Sequence, residues 1–490
     1  MLFIMMLLSG ALTPPGAAQG YLEVDSFDSS LAALDKALQK TADGSNHSIL
    51  LALRQLRDEG MQPIFQSLLL SDDTALRVDG LLALAEIGTG TIDPFLMKTF
   101  TPEQRMITIL AAIDLELMDG DTITTILEFP DLRAVEFINL AVIGRSMGVE
   151  PSKERLQSLA SSEDVTTRCM AAILLAELKI DATPLNDRID EYSSLDIARR
   201  ERLTAALSDL GSRQSLPSAL PLLEVMADDE ALSRGTRLAA VDACLACDCP
   251  EGTAIWLRMA GKSLTSGDRM RLGIMGLDRQ VMLEDWTPFR DGRRFNDLIA
   301  DAGEAVASQE GLTAATTALI RARNPILMDG ALAIAERSDP DASEEVWNAI
   351  IEASIEVPQI RPVAVRVVTM LADRKAACLE GVVERLRTAT DATIGEVAMI
   401  GLLNAEPEDS TAHAERYRDH PSRTVRSLAV VLEARNNKDE LDRKSLDELA
   451  GVASGAGRVD PAMRAVAAWL WLKHSKQHER AVARIVGEAS

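Results

Sequence analysis

The chain has 490 residues, a formal net charge of −24, 47% apolar residues and only 3% aromatic ones. So anionic a surface repels a phosphodiester backbone, which argues against nucleic-acid binding and favours a cationic or neutral partner. With few aromatics and no long alternation of polar and apolar residues, the interior must be Leu, Ala, Ile, Val and Met, which suits packed helices rather than a sheet.

Residues 1–12 form a short apolar run, followed by Thr13-Pro14-Pro15-Gly16-Ala17-Ala18. A helix breaker and small residues at Gly16 and Ala18 resemble a secretory signal cleaved after residue 18, although the run lacks a basic flank. An uncleaved anchor and a buried first helix are the alternatives. No other stretch approaches the ~20 apolar residues of a membrane span. Residues 19–39 read as a linker and first helix, and the rest, 40–487, as a helical array. Helix entries are predicted at Asp93-Pro94, Thr101-Pro102, Asn324-Pro325, His420-Pro421 and Asp460-Pro461, and helix ends at Gly88, Gly120, Gly144 and Gly211.

Arg77, Arg105, Arg133, Arg168, Arg202, Arg237 and Arg271 follow one another at 28, 28, 35, 34, 35 and 34 residues, and Arg426 and Arg464 resume 38 apart. Each opens a run of Ala, Leu, Ile and Val at helical spacing, with weaker copies at residues 326–335, 363–371 and 397–403. A recurrence of that length means stacked helical hairpins, each lending its apolar face to a neighbour.

An acidic turn, an Arg at the start of the second helix and Ala-rich apolar spacing recur in DDTALRVDGLLALAEIG, EDVTTRCMAAILLAEL and HPSRTVRSLAVVLEAR. This pattern resembles the HEAT-repeat family. The resemblance implies an all-α, right-handed α-α superhelix of about 12–13 hairpins. It also implies a structural ladder between adjacent repeats, carried here by Arg77, Arg133, Arg168, Arg237, Arg426 and Arg464, and a protein or peptide bound along the concave, second-helix surface.

The repeat is interrupted at residues 281–310, where Trp286, Phe289, Arg290, Arg293, Arg294 and Phe295 gather aromatic and cationic side chains of the kind that anchor interfaces. They form either a partner-binding loop or a cover over the core. Cys244, Cys247 and Cys249 are three soft ligands without a fourth, so they read as packing residues or a disulfide rather than a zinc site. Cys169 and Cys378 read as buried helix positions. His474 and His478 are four apart, with Glu479 next, but residues 473–477 read as a turn that separates them. No nucleophile elbow, P-loop or dinucleotide fingerprint occurs. No catalytic residue, metal or cofactor is expected. The predicted function is a non-enzymatic scaffold of the cell envelope or secreted fraction. The alternative is an enzyme or accessory lyase on the same repeats, acting on a bound cofactor or protein.

Overall fold

The structure, a computed structural model, describes residues 26–38, 47–262, 265–337, 343–405, 410–437 and 441–489. The leader expected at residues 1–18 and the linker up to residue 25 lie outside them. The fold is all-α, with helices joined by short turns and no strand among the described residues. One local code recurs in many of the second helices. Asp73, Thr101, Asp164, Asp196, Ser233, Thr265, Ser422 and Asp460 each cap a second helix, the side chain accepting a backbone N–H of the first turn. At Thr101 the predicted capping box is complete, with Gln104 returning a bond to the cap backbone.

Not every predicted boundary holds. Gly88 ends the helix Thr74–Ile87, but Gly120 begins a helix, and Gly144 and Gly211 lie inside Ala134–Ser146 and Ile197–Arg213. There the glycines answer to packing: a Cβ on Gly211 would sit 3.0 Å from that of Ala243. His420-Pro421 is not an entry either, because Ser422 caps the following helix.

The described chain forms two compact units. In the unit Asp93–Arg337, the second helices Pro102–Asp114, Ala134–Ser146, Val165–Glu177, Ile197–Arg213, Arg234–Leu245, Ser266–Asp278 and Pro325–Ala335 pack one on the next in chain order. First helices such as Gly120–Leu127 and Leu220–Asp228 pack against them. The irregular segment is shorter than residues 281–310, since Arg294–Ser308 is a regular helix.

The second unit joins Met1–Ile92 to Ser338–Ser490. Its second helices run Arg361–Asp373, Gly395–Asn404, Arg423–Asn436 and Pro461–His474, and the stack then continues into His47–Arg54 and Thr74–Ile87 from the other end of the chain. Ser26–Leu38 packs on Pro461–His474 and Arg443–Ala453, and His478–Ala489 packs on Gln62–Leu68. Salt bridges from Lys473 to Asp58 at 2.6 Å and from Arg484 to Asp28 at 3.2 Å fasten this seam. The basic excess of the last 33 residues, six Lys or Arg against three acids, thus meets acids of the N-terminal segment.

Candidate functional site

Among the recurrent arginines, the position that matters is the fourth residue after the cap. Arg77, Arg105, Arg168, Arg200, Arg237, Arg269, Arg426 and Arg464 all stand there. At Arg105, Arg168, Arg237, Arg426 and Arg464 the guanidinium turns back on the end of the first helix or the turn beyond it. Arg237 Nε donates to Ala227 O at 3.0 Å, Arg426 to His420 O at 2.6 Å and Pro421 O at 3.0 Å, and Arg464 Nε to Ala453 O at 3.3 Å. Carbonyls at a helix C-terminus have no partner within the helix, so a cation there satisfies them and offsets the macrodipole.

Others also cross to the next hairpin. Arg168 bonds Ser162 O and Glu191, Arg200 bonds Asp229 at 2.7 Å, and Arg105 reaches Asp131 at 2.8 Å and Glu136 at 3.0 Å. Arg105 and Glu136 are both fully buried. Arg133, Arg202 and Arg271 are out of register: Arg133 is itself a cap residue, bonded to Glu103 at 2.9 Å, and Arg202 and Arg271 are exposed. Their expected place in the repeat is corrected to Arg200 and Arg269 for the last two, because the cap, not the spacing alone, sets the register.

A second set of contacts between second helices was not foreseen. His474 Nε2 lies 2.9 Å from Ala434 O, Arg435 caps Leu403 O and Ala405 O and reaches Gln55 O, and Arg279 pairs with Asp242 at 2.7 Å. All stand at helix C-terminal ends. The signal was present as basic residues in last turns.

The segment expected to bind a partner is corrected. Trp286 is 0% and Phe289 1% exposed, so neither can serve as a surface anchor. They pack with Trp256, with ring centroids 5.4 Å (Trp256 to Trp286), 4.5 Å (Trp256 to Phe289) and 4.9 Å (Trp286 to Phe289) apart. Room for them comes from Gly276 and Gly303: a Cβ on Gly303 would lie 2.0 Å from the Trp286 ring. Arg290 is held by Asp301 at 2.7 Å and Glu304 at 2.9 Å, Phe295 is half-buried, and Arg293 and Arg294 are exposed.

Cys244, Cys247 and Cys249 are free thiols, as is Cys169, and Cys378 is buried. Burial pushes the Cys247 thiol up to about 11 and that of Cys169 to about 12, and raises Cys244 as well. Buried thiols so held are poor nucleophiles. His474 ends one helix and His478 begins the next, where it packs edge-on to Trp469. No group of three or more potential metal ligands occurs among the described residues.

What does stand exposed is apolar. The unit Asp93–Arg337 leaves Ile107 at 50%, Val135 at 45% and Ile197 at 53% exposure, each in the N-terminal half of a second helix. Leu115 and Met147 at the ends of the first two of these helices are 43% and 44% exposed. Acids of the neighbouring turns, Glu103, Asp131 and Asp196, are exposed beside them in sequence. The Arg213 to Asp114 bridge at 3.0 Å draws the C-terminal ends of Ile197–Arg213 and Pro102–Asp114 together. The branched apolar residues stand at the other ends of these helices. Compared with known proteins, the chain matches no family model, and no curated protein and no solved structure was found similar to it.

Proposed function

We propose that the chain is a HEAT-like, non-enzymatic scaffold that binds a protein or peptide on the second-helix face of the unit Asp93–Arg337, where Ile107 and Val135 are exposed. That exposure is the observation that carries the reading. Exposed apolar side chains on successive second helices, with exposed acids near them in sequence, offer an interface core with a polar edge. A partner with an apolar centre and basic flanks complements it. The apolar start and the small residues at Gly16 and Ala18 support export to the periplasm or medium; with the leader retained, the chain would instead be anchored. No described helix is long and apolar enough to cross a membrane.

The test is a double variant, Ile107→Asp with Val135→Asp. It should keep the helical circular dichroism and melting curve of the wild type and lose the polypeptide that the wild type retains from the source cell's envelope fraction. Retention of the same polypeptide by a folded variant would remove this face from consideration. Recovery of intact Met1 in a cytoplasmic fraction would refute export.

A further inference from the structure

On the exposed flank of the helix Ser26–Leu38 lies an open cleft of about 280 Å³, lined by Ser29, Ala32 and Lys36 of that helix and by Ser454, Pro461 and Arg464 across from it. Lys36 and Arg464 are cations, and among the described residues neither has an acidic partner. In a chain of net charge −24 that is an exception. At the same position of other hairpins Arg105, Arg168 and Arg200 each meet a carboxylate. Arg464 is also held in place. Its Nε donates to Ala453 O at 3.3 Å, and Gly455, at φ +100°, comes so close that a Cβ there would stand 3.3 Å from Arg464 Cζ. The two terminal nitrogens of the fork make no hydrogen bond within the described protein.

The other polar groups of the cleft divide cleanly. Pro461 has no N–H, and Asp460 spends its carboxylate on the Met463 N–H at 2.9 Å, so the helix start offers little to a ligand. The Ser454 hydroxyl donates to Gly451 O at 2.9 Å. The Ser29 hydroxyl makes no such bond and remains a donor.

We propose that this cleft binds the phosphoryl group of a small phosphate monoester. The Arg464 fork, the Lys36 ammonium and the Ser29 hydroxyl are donors with no acid committed to them, and a monoester brings three acceptor oxygens and about two negative charges. A carboxylate brings two oxygens and one charge, and leaves a donor unmatched. The volume lies at the low end for ligand pockets, which restricts the rest of the ligand to a few atoms over Ala32.

The experiment is calorimetric titration of the full chain with glycerol phosphate and, separately, with acetate, the ionic strength being held constant with chloride. The wild type should bind glycerol phosphate saturably and at least about tenfold more tightly than acetate. Lys36→Ala removes an exposed side chain, so it should melt like the wild type and bind glycerol phosphate at least about tenfold more weakly. Arg464→Lys keeps the charge without the fork and should also weaken binding. Lys444→Ala, which removes an 83% exposed cation elsewhere in the same unit, should leave it unchanged. Absence of saturable binding by the wild type, equal affinity for the two anions, or an undiminished affinity in Lys36→Ala would overturn the assignment.

Discussion

The helices Pro102–Asp114 and Pro461–His474 are written in the same code and meet different fates. Each has a polar cap, a proline at its first position and an arginine four residues after the cap. Each is apolar over more than one face. In Pro461–His474 residues 465–472 are buried in succession, whereas Pro102–Asp114 leaves Ile107 half exposed. A helix apolar all round is stable only when covered all round. Pro461–His474 has that cover, with Ser26–Leu38, His47–Arg54 and Arg443–Ala453 packed about it. Local sequence therefore decides that a second helix forms and where it starts, and its neighbours decide whether its remaining face is core or surface.

The same contrast runs through the arginines and gives the largest expected effect. Arg105 is fully buried, with the equally buried Glu136 as one of its partners, so Arg105→Ala should destabilise by about 3–5 kcal/mol, because the buried carboxylate loses its buried counter-charge and keeps only the Arg133 N–H at 2.8 Å and Arg133 Nε at 3.5 Å. Arg464→Ala removes a bond to a carbonyl and should cost about 0.5–1.5 kcal/mol. Equal midpoint shifts in urea melts would show that the two positions are not distinguished by burial.

Next come the apolar residues themselves. Leu472 is 0% exposed, and Leu472→Ala should cost about 2–5 kcal/mol. Ile107→Ala should stay within about 0.5 kcal/mol of the wild type, as surface changes do. A loss at Ile107 comparable to that at Leu472 would mean that Ile107 is covered in solution and offers no site.

The smallest expected effect concerns the seam between the chain's ends. Burial of Asp58 opposes its charge, but its hydrogen bonds and attraction, first to Lys473 and then to the Gly60 N–H, together outweigh burial and hold the carboxyl below the usual range. A lowered folded pKa contributes stability above the unfolded value, near 4, and that contribution is lost as the pH falls through the folded value. Lys473 is half exposed, so solvent screening limits the pair to less than about 1 kcal/mol. The stability difference between the wild type and Lys473→Ala should be constant near neutrality and shrink below about pH 4. A difference that grows on acidification would have the wrong sign.

Much of the fold was legible because caps are local. Thr101 with Gln104, and Asp460 with Pro461, mark helix starts without reference to anything distant. The register at Arg202 and Arg271 was misread although Asp196 and Thr265 were available to correct it. The fate of Trp286 and Phe289 was harder. A cluster of aromatics and arginines looks the same on a surface loop and over a core, and the relevant clue was two glycines inside helices, Gly276 and Gly303, which leave space for a large ring. The joining of the chain's ends could not be read at all, since Asp58 and Lys473 are separated by nearly the whole sequence. For the same reason nothing in the apolar pattern told Ile107 from Leu472.

The central claim is that the second-helix face around Ile107 and Val135 meets another protein. A photoreactive side chain placed at 107, at 135 and, as a control, at Lys444, whose side chain is 83% exposed in the other unit, tests it in the source cell. Crosslinking to a second polypeptide at 107 and 135 but not at 444 is the predicted result. Equal crosslinking at all three positions, or none at 107 and 135, would contradict the account.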